Sequence, residues 1–98
     1  MKVARFHARA REEFLAEIDY YDQIQPGLGA RFAAAIEKTV ARALAFPKAG
    51  APAAMGARRL IVKQFPFSVV YLGKPDGILI IAIAHQAQRP GYWHTRAI

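Results

Sequence analysis

A run of seven apolar residues, from Ile78 to Ala84, constrains the fold of this 98-residue chain more than any other part of its sequence. The run belongs to a strand that we predict over residues 78–85. An uninterrupted apolar strand is normally covered on both faces and lies in the middle of its sheet. A membrane-spanning helix needs about 20 apolar residues, so the run is too short to cross a bilayer. The chain therefore needs a covering layer on each side of one interior strand.

Two amphipathic helices are predicted before the strands. The first covers residues 8–23 and ends in a tight turn at Pro26-Gly27. Its apolar face consists of Ala10, Phe14, Ile18 and Tyr21. Its opposite, acidic face consists of Glu12, Glu13, Asp19 and Asp22. The second helix begins near Leu28 or Gly29 and ends at Phe46-Pro47. Because the turn between them is short, the two helices form an antiparallel hairpin, which covers only one face of a sheet.

The pattern changes to that of strands after a loop over residues 47–56. Strands are predicted over residues 58–64, 67–72 and 78–85, and a further short strand over residues 2–6. The sequence therefore predicts one domain, residues 1–98, with an α+β fold of order β-α-α-β-β-β. Its helical hairpin packs on one face of a small, mainly antiparallel sheet. The other face is covered either by the C-terminal segment, with Tyr92 and Trp93, or by a separate chain.

The absence of cysteine and the spacing of the histidines exclude several kinds of site. The chain has no cysteine, which excludes disulfides and thiolate chemistry. Its three histidines, His7, His85 and His94, lack the spacing of a metal site, and we expect neither a metal nor a cofactor. The N-terminus lacks the apolar segment of a secretory signal, so a cytoplasmic location without membrane attachment is expected.

The positive charge is concentrated in the second half of the chain. The net charge is +7, and residues 50–98 contribute six basic residues and one acidic residue, or +5. This half is the expected docking region for a polyanion or an acidic protein. The alternative is a basic protein that its charge keeps soluble. Candidates for binding a nucleic acid or another target are Arg58, Arg59, Lys63, Arg89 and Arg96.

Several of the same residues are candidates for metal-free RNA cleavage. This reaction needs a base for the 2′-hydroxyl, an acid for the leaving oxygen, and cations for the charged transition state. The candidate catalytic residues are Arg59, Lys63, His85, Arg89 and Tyr92. Arg59 and Lys63 are expected on one face of a strand, and His85 lies where the last strand ends. The only acidic residue after Glu37 is Asp76, so the sequence offers His85 no clear carboxylate partner.

Each of these residues also has a structural interpretation. His85 could simply cap the last strand through hydrogen bonds. Arg58 and Arg59 could form a solvated pair or face a binding partner. Tyr92 and Trp93 could pack over the sheet without any chemical role.

Five segments, in this order, resemble the RelE/ParE superfamily of bacterial toxins, which are the toxin halves of type II toxin–antitoxin modules and are often labelled plasmid stabilization proteins. They are FHARAREEF (6–14), IDYYDQIQPGLGARF (18–32), FPKAG (46–50), RRLIVKQFPFSVVY (58–71) and IAHQAQRPGYW (83–93). The resemblance covers nearly the whole chain. It implies a cytoplasmic growth inhibitor that a cognate antitoxin wraps and neutralises, although it assigns no residues to antitoxin binding.

The resemblance leaves the target open. The RelE branch cleaves messenger RNA on the ribosome, and the catalytic residues named above apply only to that activity. The ParE branch inhibits DNA gyrase and would need no enzymatic activity of its own. The long helical hairpin favours the ParE branch. The hypotheses are therefore a gyrase inhibitor that acts by binding, a ribosome-dependent endoribonuclease, and a basic binding module without toxicity.

Overall fold

The computed structural model describes all 98 residues and has the predicted order of helices and strands, with one additional short strand. The elements are β1 (Val3–Phe6), α1 (Ala8–Ile24), α2 (Leu28–Ala45), β2 (Ala51–Pro52), β3 (Arg58–Ile61), β4 (Phe67–Lys74) and β5 (Gly77–His85). Short 3₁₀ turns lie at Ala54–Gly56 and His94–Ala97. The predicted α+β class is confirmed.

The five strands form one sheet in the order β1-β5-β4-β3-β2. β1 runs parallel to β5, from Val3 opposite Gly77 to Phe6 opposite Ile80, and the other neighbours are antiparallel. The apolar strand β5 is therefore an interior strand, as its sequence predicts. Beyond Ile80, however, β5 has no strand on its β1 side.

A β-bulge in β5 changes which side chains face the helices. In the β4–β5 ladder, Tyr71 lies opposite Ile80 and Val70 lies opposite Ala82, so Ile81 is an extra residue. Ile80 belongs to the core beneath the helices, whereas Ile81 and Ala82 belong to a second core on the other face. The bulge reverses which face of the sheet each later side chain of β5 points to. Because every residue of the run is apolar, either face still receives an apolar side chain.

The core beneath the helices is aromatic at its centre. Phe32 of α2 is fully buried, and the ring centres of Tyr21, Phe65 and Phe67 lie 5.1 to 5.2 Å from its own. Aromatic rings at these distances attract one another in addition to the gain from burial. They tie both helices to the sheet.

The C-terminal segment covers the other face of the sheet. Trp93 is 7% exposed and packs in a cluster with Val70, Ile81 and Ala84. The sequence left open whether the C-terminal segment or a separate chain covers this face, and in the structure the C-terminal segment covers it. The second core contains six buried residues and three of them are alanine, so it is thin.

The helices approach each other closely at the start of α2. Gly29 donates its backbone N–H to the Asp22 carboxylate over 2.8 Å. A Cβ at position 29 would lie 2.8 Å from Asp22 Oδ1 and still closer to the carbonyl of Ile18. The hairpin therefore requires glycine at this position.

Three predicted boundaries are wrong. The strand predicted over residues 67–72 continues to Lys74. The strand predicted over residues 58–64 ends at Ile61, because the chain turns at Lys63 and Gln64, where Gln64 has a φ of 72°. The loop predicted over residues 47–56 contains β2 and a 3₁₀ turn. No helix combines the length and the apolar character needed to span a membrane.

Candidate functional site

A cavity of about 480 Å³, here called the C-terminal cavity, lies between the end of β5 and the segment that follows it. Four of the five predicted catalytic residues line it, together with His94: they are Arg59, His85, Arg89 and Tyr92. Arg59 extends from β3, and the other three lie at the end of β5 or beyond it. The sheet thus brings together residues that are separated by up to 33 positions in the sequence.

His85 caps the end of β5 and also lies beside the C-terminal cavity. It lines the C-terminal cavity, and its Nδ1 accepts a hydrogen bond of 2.9 Å from the backbone N–H of Ala87. Its own backbone N–H donates to Gln88 Oε1 over 3.0 Å, and its ring packs edge-on against Phe67. His85 therefore caps the strand while facing the cavity.

The hydrogen bond to Ala87 determines what His85 can do chemically. A neutral imidazole with Nδ1 as acceptor carries its proton on Nε2. That nitrogen can donate a hydrogen bond to an anion, but it has no lone pair for removing a proton from a 2′-hydroxyl. The geometry favours anion binding by His85 over general base catalysis.

The arginines of the C-terminal cavity are free of internal partners. Arg59 and Arg89 are exposed, and neither belongs to the two ion pairs of the chain. No aspartate or glutamate lines the cavity. The cavity therefore carries uncompensated positive charge and suits an anionic ligand or an acidic surface.

Arg96, a predicted target-binding residue, is engaged inside the chain. Its guanidinium forms two hydrogen bonds with the Glu13 carboxylate, of 2.9 and 3.0 Å, and donates to the carbonyl of Ile81 over 3.0 Å. Glu13 also accepts the backbone N–H of Ile83 over 3.1 Å. The two side chains are only 15% and 22% exposed, so this network, the Glu13–Arg96 network, belongs to the interior.

The Glu13–Arg96 network fills the gap that the sheet leaves beside β5. Because β1 ends at Phe6, the backbone groups of Ile81 and Ile83 have no strand to pair with on that side. Buried backbone groups need hydrogen-bond partners, and these come from α1 and the C-terminal segment. The sequence places Glu13 on an exposed acidic face, and this prediction is wrong. Its position three residues after the buried Ala10 is the one local signal of its burial.

Tyr92 packs in the same region. The Arg96 guanidinium lies 5.0 Å from the centre of its ring, and its hydroxyl is buried without a hydrogen bond of good geometry. Burial, together with the nearby Glu13 carboxylate, raises the pKa of the Tyr92 hydroxyl well above its ordinary value. Burial alone would lower the pKa of Arg96, but Glu13 outweighs this effect and raises it. Both groups therefore keep their protons at neutral pH.

Arg58 and Lys63 lie outside the C-terminal cavity. Arg58 donates to the carbonyl of Gly50 over 2.8 Å and so holds the loop after α2. The expectation that Lys63 shares a strand face with Arg59 is wrong, because β3 ends at Ile61. Lys63 lines a different depression of about 470 Å³, here called the α2–β3 groove, whose other charged residues are Arg31, Lys38 and Arg42.

The five predicted catalytic residues therefore do not converge on one point. Three of them, Arg59, His85 and Arg89, present donors to the C-terminal cavity, while Tyr92 has a buried hydroxyl and Lys63 lies elsewhere. The structure also contains no cluster of three or more His, Asp or Glu side chains that could hold a metal ion.

Comparison with known proteins agrees with this architecture. A family model described as the ParE toxin of type II toxin–antitoxin systems matches residues 4–90. Among solved structures, the chromosomal ParDE toxin–antitoxin system from P. aeruginosa has a chain that is 22% identical, with a TM-score of 0.74. The match covers 87% of this chain and 96% of that one, and it shows that the two share a fold. No curated protein matches the chain.

The family match covers most of the chain, including both helices, four complete strands and β1 from its second residue onward. It confirms the resemblance to the RelE/ParE superfamily and favours the ParE branch. It does not identify the target of the toxin. It does imply a partner, because a toxin of this kind is paired with an antitoxin. The chain belongs to the ParE toxin family and is the toxin component of a type II toxin–antitoxin system.

Proposed function

We propose that the chain arrests growth in the cytoplasm by binding DNA gyrase, without a catalytic step of its own. Its membership of the ParE family supports this target. The observation that carries the proposal is the state of His85, whose Nδ1 accepts the N–H of Ala87 and whose Nε2 therefore bears a proton. A site that offers hydrogen-bond donors and cations, but no free base, is suited to holding an acidic surface or a phosphate.

In this proposal Arg59, Arg89 and His85 form the contact with the target. Both arginines are exposed and unpaired, so charge attraction would speed the encounter with gyrase or its DNA. Binding through them should weaken as salt rises, because counterions screen exposed charges.

The test is a supercoiling assay with purified gyrase and the purified chain. We expect loss of supercoiling or an accumulation of cleaved DNA, and we expect Arg59→Glu with Arg89→Glu to weaken the effect by at least about tenfold. Arg9→Glu with Arg11→Glu, on exposed positions of α1, changes the charge equally and serves as the control. Full supercoiling at saturating amounts of folded protein would contradict the proposal.

A second candidate is ribosome-dependent cleavage of messenger RNA, which the grouping of Arg59, His85 and Arg89 in one cavity favours. Expression in bacteria separates the two candidates. DNA breaks and filamentous cells support gyrase as the target, whereas rapid loss of translated messages with cuts inside codons supports cleavage. If His85→Ala leaves such cuts intact, His85 has no catalytic role. If folded protein causes no growth arrest, both candidates are wrong and a non-toxic binding module is left.

A further inference from the structure

The C-terminal cavity presents three hydrogen-bond donors that no other group of the chain occupies. They are the exposed guanidinium groups of Arg59 and Arg89, which form no ion pair within the chain, and the Nε2–H of His85. A phosphate monoester has three terminal oxygens and carries up to two negative charges, and guanidinium groups bind such oxygens strongly. The donor set therefore matches a phosphate monoester in number and in charge.

The donor of His85 is held in position by the chain itself. Its Nδ1 accepts the N–H of Ala87, and its backbone N–H donates to Gln88 Oε1 over 3.0 Å. Its ring packs edge-on against the buried Phe67, with the ring centres 4.9 Å apart. A ligand that meets a donor fixed in advance pays less for ordering the site when it binds.

The cavity is larger than a phosphate group needs, and part of its lining is apolar. Its volume of about 480 Å³ lies within the range of small-molecule sites. The lining includes residues whose side chains have no hydrogen-bonding groups: Pro52, Ala53, Ala54 and Pro90. A nucleobase packs well against apolar side chains, whereas a sugar or polyol would leave hydroxyl groups without partners. The exposed amide of Gln86 also lines the cavity and can pair with the polar edge of a base.

We infer that the C-terminal cavity binds a mononucleotide, with the terminal phosphate on Arg59, Arg89 and His85 and the base against the apolar part of the lining. Binding itself does not require gyrase to be the target of the toxin. One consequence does rest on the proposed function: because the same three side chains are assigned to the target, a bound nucleotide would compete with gyrase. The nucleotide would then regulate the toxin.

Other anions use the cavity less completely. Inorganic phosphate would meet the three donors but would leave the apolar lining uncovered. A carboxylate on a protein surface brings two oxygens to three donors. An internal phosphodiester of a nucleic acid has two free oxygens and a single negative charge, so one donor keeps no anionic partner. A mononucleotide uses the donors and the apolar lining together.

The direct test is a titration of the purified chain, in a buffer without phosphate, with each of the four common nucleoside 5′-monophosphates. Proton–nitrogen correlation NMR spectra report the side-chain Nε2 of His85. We expect at least one nucleotide to shift this signal with a Kd below about 1 mM. His7 is an internal control, because its Nδ1 also accepts a backbone N–H, from Arg9, and it does not line the cavity. Its signal should not move.

Three related compounds show which part of the nucleotide is recognised. Nucleosides without phosphate should not bind. Inorganic phosphate should bind at least about tenfold more weakly than the best nucleotide. A dinucleoside monophosphate, whose only phosphate is internal, should also bind at least about tenfold more weakly.

Substitutions at His85 separate its donor from its role as a cap. In His85→Asn the amide oxygen can replace Nδ1 and keep the bond to Ala87, but no group lies at the position of Nε2. Nucleotide binding, measured by isothermal titration calorimetry, should weaken by at least about tenfold. In His85→Gln the amide nitrogen reaches the position of Nε2, so this variant should retain more binding than His85→Asn.

A matched pair of arginine variants tests the charge. Arg89→Gln should weaken nucleotide binding by at least about tenfold. Arg9→Gln removes the same charge from an exposed position of α1 and should have little effect. Far-UV circular dichroism confirms that each variant is folded.

Several results would overturn the inference. These are no binding by any of the four nucleotides at about 1 mM, equal shifts at His7 and His85, and equal losses in Arg89→Gln and Arg9→Gln. Equal affinity for inorganic phosphate would reduce the cavity to a site for a bare anion. Equal affinity for the dinucleoside monophosphate would assign it to the backbone of a nucleic acid. None of these results bears on gyrase inhibition, which the supercoiling assay tests separately.

Discussion

Replacing Glu13 by glutamine should destabilise the chain far more than its place on a charged helix suggests. The carboxylate accepts two hydrogen bonds from Arg96 and one from the backbone of Ile83. Glutamine can keep the two bonds at its oxygen, but its NH₂ group meets Arg96 Nη2 donor to donor. The substitution therefore removes one charge-assisted hydrogen bond and leaves the Arg96 guanidinium without a counter-charge.

The size of the effect follows from the burial of the pair. One hydrogen bond to a charged group contributes about 1.5–3 kcal/mol, and breaking a fully buried pair costs about 3–5 kcal/mol. Because the side chains of Arg96 and Glu13 are 15% and 22% exposed, solvent screens part of the effect. We expect a loss of about 2 kcal/mol in the free energy of unfolding, which lowers the Tm of a domain of this size by about 8–16 °C.

Two optical signals separate local from global unfolding. Trp93 is the only tryptophan and lies in the C-terminal segment, so its fluorescence reports whether that segment is docked. Far-UV circular dichroism reports the helices. In Glu13→Gln we expect the tryptophan signal to change at a lower urea concentration than the helical signal, because Arg96 anchors the segment.

The control and the double-mutant cycle make the reasoning refutable. Glu12→Gln, an exposed neighbour on the same helix, should change stability by less than about 0.5 kcal/mol. Arg96→Met should cost a similar amount to Glu13→Gln, and the double variant should cost clearly less than the sum. A loss below about 0.5 kcal/mol in Glu13→Gln, or additivity of the two changes, would show that the network does not stabilise the fold.

Three further predictions concern other contacts. Tyr71→Phe removes the hydroxyl that bonds a carbonyl and an amide of the loop after α2, at 2.7 and 3.1 Å, and should cost about 1–3 kcal/mol in urea unfolding. Gly29→Ala should cost more than about 1 kcal/mol because its Cβ meets the backbone of α1, whereas Gly73→Ala, with open space around it, should be close to neutral. Since the pKa of Tyr92 is raised in the folded state, the folded chain holds this proton where the unfolded chain has lost it, and stability should fall as pH rises above about 10. Tyr92→Phe should reduce this fall in pH-dependent unfolding, with little loss of stability at pH 7 because the hydroxyl has no good hydrogen bond.

The sequence predicted the features that depend on local periodicity. Apolar spacing located both helices to within a residue or two, and the uninterrupted run from Ile78 identified the interior strand. The same run also required a second cover, which the segment with Trp93 provides. These predictions succeed because the period of apolar residues reports directly on which faces are buried.

Features that depend on distant parts of the chain could not be predicted in this way. Glu13 and Arg96 are 83 positions apart, and only the early end of β1 creates the gap that they fill. Likewise, Arg59 and Lys63 lie apart because the chain turns at Gln64. The left-handed backbone conformation of Gln64 has no signal in the sequence. The α2–β3 groove was missed for a related reason: its basic residues on α2 face solvent, and only the position of β3 brings Lys63 into the same depression.

The position of β5 in the sheet has a consequence for biosynthesis. β5 is synthesised after every other strand, yet it lies between β1 and β4, and its pairing with β1 joins residues 74 positions apart. Such distant pairing makes folding slow compared with that of a helical domain. The sheet cannot assemble while β5 is still within the ribosome, so a chain that is terminated before residue 77 lacks the strand that connects β1 to the other three. Premature termination of this toxin should therefore yield an unfolded fragment for proteolysis and not a partly active inhibitor.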